Sequence, residues 1–291
     1  MLHERGRKNL WSTAHSNASL NVTSIVGRTI IKFGGALITE KESRKVFRPD
    51  TISAIAPILS NMVNSGMDLI IVHGAGSFGH IDAKSGDLSR GRVSGREEEQ
   101  HRAKETVRKS MNELNSSVVS ILESHGIRCR CHPPREWANG TGPKFKGDIR
   151  RFEEHGYVHV TFGDVVDVAG DREFGILSGD HLMERLSTEL PEVEKVIFLL
   201  DGIDGLYDKD PINKDSQMIP VWTSSTSYET SINELTDVTG GMALKVEVAS
   251  RISKNVPLVT FVNGLDPANL HDLLIGERFI GTLFERAKSD E

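Results

Sequence analysis

Asp68-Leu69-Ile70-Ile71-Val72-His73-Gly74-Ala75-Gly76-Ser77-Phe78-Gly79-His80 joins a β-branched apolar run to a loop punctuated by Gly74, Gly76 and Gly79. A short, continuous apolar run bounded by glycines predicts a strand buried on both faces, here residues 68–72. Beyond it the chain is expected to enter a helix. A glycine loop between strand and helix lets backbone N–H groups approach an anion without interference from Cβ, and the helix dipole favours negative charge there. One reading of this stretch is therefore an anion cradle at the end of a buried strand.

Outward from it, the same arrangement recurs. Upstream, residues 29–33 are a β-branched and aromatic run that stops at Gly34-Gly35, and Pro49–Asn64 carries a helical apolar stripe behind an N-terminal proline. Downstream, residues 95–125 read as a long helix, with Val107, Met111, Leu114 and Val118 on one stripe. Strands follow at 127–131 and 157–162. Between them, 137–148 is a glycine-, lysine- and proline-containing hairpin or loop. Residues 164–177 read as a hairpin turning at Gly170-Asp171. A helix at 181–190, a strand at 196–200, a helix at 242–254, a strand at 258–262 and a helix at 267–274 complete the pattern. Alternating strands and helices predict an α/β protein, a three-layer αβα sandwich with an open, mainly parallel central sheet. Ligands of such sheets bind beyond the carboxyl ends of the strands.

The chain has 291 residues and a formal net charge of -6, which argues against a global basic field for nucleic acid. No apolar run reaches the ~18 residues a membrane span needs. Residues 1–28 are polar and lack the apolar core of a signal peptide, so they read as a loosely ordered tail of a cytoplasmic protein. Two Asn-x-Ser/Thr triplets within them read as chance without a secretory signal. Cys129 and Cys131 sit two apart, on one face of their strand, beside His132. A metal pair is one reading; reduced thiols of a cytosolic protein are the plainer one.

Four loops carry candidate chemistry. Lys32-Phe33-Gly34-Gly35-Ala36 places a cation at a strand end, with Lys41 in the polar loop beyond. The alternative is a plain turn with solvated lysines. In the second loop His80 closes the cradle, and its two ring nitrogens can both donate when charged. This loop also fits the dinucleotide pattern G-x-G-x-x-G, which would make the chain an NAD-binding oxidoreductase. That reading wants a carboxylate at the end of the next strand, where Gly95-Arg96-Glu97 instead reads as a helix start. The third loop, Asp201-Gly202-Ile203-Asp204-Gly205, suits ribose hydroxyls, amides or hydrated Mg²⁺, or is an Asx turn. In the fourth, Thr239-Gly240-Gly241-Met242 opens a helix. Lys245 can lean back over the glycines, since helical side chains point toward the N-terminus. No Walker-type or protein-kinase motif is present.

In order, these loops resemble the amino acid kinase family over residues 29–282. Within it, a glycine loop ending in histidine resembles the isopentenyl phosphate and fosfomycin kinases, and Gly163-Asp164 and Ser178-Gly179-Asp180 resemble the isopentenyl phosphate kinases. Two departures stand out. The usual Gly-Gly-Gly is Gly74-Ala75-Gly76, and the usual Asp-Val-Asp-Gly is Gly202-Ile203-Asp204-Gly205, with Asp201 one place earlier. The resemblance implies a kinase with an acceptor-binding lobe over residues 29–179 and a nucleotide-binding lobe over 180–287. It implies catalytic roles for Lys32, Lys41 and His80. ATP would be bound by Lys32, Gly34, Gly35, Ala36, Gly76, Asp201, Gly202, Asp204, Gly241 and Lys245. The acceptor would be bound by Gly74, Ala75, Gly79, His80, Gly179 and Asp180. It further implies ATP with Mg²⁺ held on nucleotide oxygens rather than by protein ligands, a small phosphate acceptor, and a homodimer. The stripe Val107, Met111 and Leu114 is the candidate wall for an apolar acceptor tail.

Overall fold

A computed structural model describes residues 27–40, 43–223, 226 and 241–286. The tail expected over residues 1–28 lies outside them up to residue 26, and its end is revised. Arg28 already belongs to β1 (Arg28–Phe33), because its guanidinium pairs with Asp68 at 2.8 Å and its amide donates to the Glu192 carbonyl at 2.7 Å. A single helical turn, α1 (Gly35–Ile38), precedes α2 (Pro49–Asn64), β2 (Asp68–His73), α3 (His80–Ser85) and α4 (Glu97–Ser124). Then come β3 (Cys129–Cys131), the short β4 (Ala138–Asn139) and β5 (Lys146–Gly147), β6 (Val158–Phe162), β7 (Asp164–Asp167), β8 (Phe174–Leu177) and α5 (Gly179–Glu189). The rest comprises β9 (Val193–Leu200), β10 (Leu206–Tyr207), β11 (Met218–Ile219), β12 (Val221–Trp222), α6 (Gly241–Ile252), β13 (Leu258–Asn263), α7 (Pro267–Ile275) and β14 (Thr282–Phe284).

The central sheet has eight strands in the order β12-β14-β13-β9-β1-β2-β6-β3. All its neighbours pair in parallel except β13 with β14. Strand alternation sends Ile31, Phe33 and Ile71 into a core shared with α2, α4 and α7. Ile30, Ile70 and Phe198 enter a second core shared with α5 and α6. Each such fully buried side chain contributes ~1.5–3 kcal/mol. The three layers are those expected from the sequence, with parallel and antiparallel pairings mixed.

A separate four-stranded sheet, β5-β4-β7-β8, accounts for both predicted hairpins. Helix α4 starts two residues later than its pattern, because Gly95 sits at φ 82°, outside the helical region. Cys129 and Cys131 lie on the edge strand β3. Burial pushes the Cys129 thiol up to about 12. His132 points to His159 instead, Nε2 to Nδ1 at 2.8 Å, and no trio of potential metal ligands converges among the described residues.

Candidate active site

The first and second loops are pressed together backbone to backbone. A Cβ on Gly35 would lie 2.5 Å from the Gly76 nitrogen, and one on Gly74 would lie 2.6 Å from the Gly35 nitrogen. Gly76 also holds φ 49°. Thr39 stitches the junction: its hydroxyl donates to the Gly35 carbonyl at 2.8 Å and accepts from the Ser77 amide at 3.0 Å. The glycines are therefore demanded chiefly by close approach between loops. The amides of Gly35, Ala36, Ala75 and Gly76 donate to no protein acceptor among the described residues. N–H groups of both loops thus meet at one junction without such an acceptor, an arrangement of the kind that binds anions.

Behind the first loop lies a charge cluster. The Lys32 ammonium donates to Asp180 Oδ1, and Lys245 Nζ stands 3.6 Å from Asp180 Oδ2. Lys245 also reaches back to the Gly241 carbonyl at 3.0 Å. The side chains of Lys32 and Asp180 are 5% and 2% exposed. Burial pushes the Asp180 carboxyl upward, but the ammoniums of Lys245 and Lys32 outweigh it and hold the group below the usual carboxylate range. Ser178 caps α5 by accepting from the Asp180 amide at 3.2 Å, which fixes the carboxylate. Asp180, expected at the acceptor, is fully buried and contacts both lysines. Gly179 sits beside them: a Cβ there would be 3.4 Å from Lys32 Cε and 3.5 Å from the His73 carbonyl.

His73 and His80 bracket the second loop and differ. His73 is fully buried, stacked on Phe162 with centroids 5.0 Å apart and 3.3 Å from Asn115 Oδ1. Burial lowers its pKa to about 4, so it is neutral. His80 is half-buried as the first residue of α3, not a loop residue. The extra methyl of Ala75 turns toward Gly79, 2.8 Å from where a Cβ of Gly79 would sit. Val107, Met111 and Leu114 are core residues, and the Met111 sulfur would lie 3.3 Å from that same Cβ. Asp164 follows Gly163, whose amide donates to the His73 carbonyl at 3.2 Å. Burial raises the Asp164 carboxyl to about 7.

In the third loop Asp201 is engaged by Arg48 at 2.8 Å, and Asp204 accepts from Asn263 at 3.1 Å. Gly202 holds φ 71°, and a Cβ there would meet Leu265 Cδ1 at 3.7 Å, an ordinary contact. Gly241 opens α6, whereas Lys41 and residues 237–240 lie outside the described residues. Thr39 and Arg48 carried no motif and were missed. The NAD-binding reading is set aside. A 3₁₀ turn, Gly76–Phe78, and only six helical residues follow the loop, and the next strand, β3, ends at Cys131 without a carboxylate.

A family model described as the amino acid kinase family matches residues 27–262. The isopentenyl phosphate kinase of Methanothermobacter thermautotrophicus is 33% identical over 265 residues, which cover 87% of this chain and 97% of that protein. That of Thermoplasma acidophilum is 31% identical over 258 residues, covering 87% and 98%. A solved structure of isopentenyl phosphate kinase superposes with a TM-score of 0.75 at 28% identity, spanning 88% of this chain and 99% of that one.

Proposed function

The chain belongs to the amino acid kinase family, and from that premise we propose that it transfers the γ-phosphoryl group of ATP to isopentenyl phosphate, giving ADP and isopentenyl diphosphate. The observation that carries this reading is the contact between two glycine cradles, Gly35 against Gly74 and Gly76. A reaction between two phosphates must hold two anions at transfer distance, and two amide-lined loops in backbone contact suit that task.

An acceptor phosphate is already nucleophilic at neutral pH, so the chemistry asks for positioning and charge neutralisation rather than a strong base. Lys32 and Lys245 supply positive charge around one buried carboxylate, so their cluster keeps a net positive charge. Asp180 holds both ammoniums in place before substrate arrives. His80, immediately after the second cradle, is the donor assigned to the acceptor phosphate. Mg²⁺ would travel on the nucleotide oxygens and neutralise charge there. The amide and ammonium donor set fits a nucleotide that brings its own cation.

The test is a pair of histidine variants assayed with ATP and isopentenyl phosphate. His80→Ala is expected to lose ~10²–10³ in turnover, the scale of removing one positioned donor, while its Tm stays within a few degrees of the parent. His73→Ala removes a stacked, fully buried ring, and the expected loss is in Tm more than in turnover. Near-normal turnover in His80→Ala removes the reason for preferring a phosphate over a carboxylate acceptor.

A further inference from the structure

Arg48 touches neither glycine cradle through its own backbone, yet one of its guanidinium nitrogens joins two of the four loops. Nη1 donates to the Ala36 carbonyl at 3.1 Å in the first loop and to Asp201 Oδ1 at 2.8 Å in the third. The residue itself is held firmly. Its amide donates to the Ile38 carbonyl at 2.9 Å, Pro49 starts α2 immediately after it, and Thr39 bridges Phe47 just before it. Asp201 follows the last residue of β9 directly, and Gly202 beyond it has no side chain to fix the turn.

We propose that Arg48 and Asp201 form a strut that sets the third loop in register with the first, so that the nucleotide meets both in one pose. They are positioning residues, and Asp201 acts through Arg48 rather than by contacting ATP. This explains a carboxylate one place earlier than the family pattern. At position 201 it follows the strand end directly, within 2.8 Å of Arg48 Nη1, a contact the structure gives to no side chain at position 202. The side chains are 29% and 24% exposed, so the pair is partly screened and its effect moderate.

The functional half of this inference rests on the kinase reading above; the strut itself does not. Two measurements separate them. Hydrogen–deuterium exchange on the ligand-free protein compares the parent with Arg48→Ala and Arg48→Lys. Faster exchange over residues 34–38 and 201–206 together in Arg48→Ala, with partial rescue in Arg48→Lys, supports the strut. A change confined to one loop overturns it, whatever the substrate. Steady-state kinetics then compares Arg48→Ala and Asp201→Asn. The expected result is a rise of about 3–10-fold in KM for ATP, the scale of a partly exposed charge-assisted hydrogen bond, with less than a twofold change in KM for the acceptor. Equal changes in both KM values, or none, overturn the assignment to nucleotide positioning. Absence of ATP turnover in the parent would remove the kinase reading, while the exchange result would still decide the strut.

Discussion

The junction of the first two loops and the start of the third loop, Asp201-Gly202, are built on different plans. At the junction, Gly35, Gly74 and Gly76 leave no room for a β-carbon, and Thr39 closes the remaining gap. At the start of the third loop a Cβ on Gly202 would meet only Leu265 Cδ1, at an ordinary 3.7 Å, and side-chain contacts hold the backbone, Arg48 to Asp201 and Asn263 to Asp204; tight packing returns only at Gly205, against Thr282. Backbone-on-backbone packing fixes atoms to within tenths of an ångström, which suits phosphates that must meet in line. Side-chain struts tolerate change, which suits the distant end of a nucleotide.

The contrast is broken or sharpened first by adding one methyl group on each side. Gly35→Ala must push the Gly76 nitrogen away from 2.5 Å, and the expected result is a loss of more than ~10²-fold in turnover. Gly202→Ala meets only the strain of its positive φ, about 1–2 kcal/mol, and turnover is expected to fall less than tenfold. Equal losses in the two variants would erase the distinction.

Asp180→Asn tests the charge cluster behind the junction. Removing one member of a buried ion pair costs about 3–5 kcal/mol, so Tm falls along with turnover. Asp201→Asn, in a pair about a quarter exposed, is expected to lower stability by no more than ~1 kcal/mol. Denaturant titration of both variants gives the comparison directly.

Acid is a graded probe that needs no substitution. Burial lowers His73 to about 4, so the folded state refuses a proton that the unfolded chain accepts near 6.5. Its depressed pKa therefore destabilises the fold as pH drops through 6.5 toward 4, by about 2 kcal/mol at pH 5. His132 and His159 are lowered to about 3 and about 4, chiefly by burial, and act in the same direction. All three belong to the β2, β3 and β6 side. Protection factors, which correct exchange for its intrinsic pH dependence, are expected to fall there at pH 5 before they fall in the third loop.

Much of this was legible in the sequence, for identifiable reasons. Long periodic segments such as Pro49–Asn64 and short β-branched runs such as Leu258–Asn263 carry their structure locally, and glycines after strands mark the loops. Lys245 leaning back on Gly241 followed from helix geometry alone. What stayed hidden depends on distance along the chain. Asp180 lies 148 residues from Lys32, and Arg48 lies 153 from Asp201. No local pattern announces that a carboxylate will sit between two lysines. The short edge strand β12 and its neighbour β14 are too brief for periodicity to show them. The reason for Gly35 was also out of reach, since it lies in a loop that begins some forty residues later.

The central claim is that two touching cradles hold two phosphates. The direct test is the initial rate of ADP formation from ATP with isopentenyl phosphate, fosfomycin and glutamate as separate acceptors. The account predicts turnover with isopentenyl phosphate well above that with fosfomycin, and none with glutamate. Turnover with glutamate and none with either phosphorus-containing acceptor would contradict it.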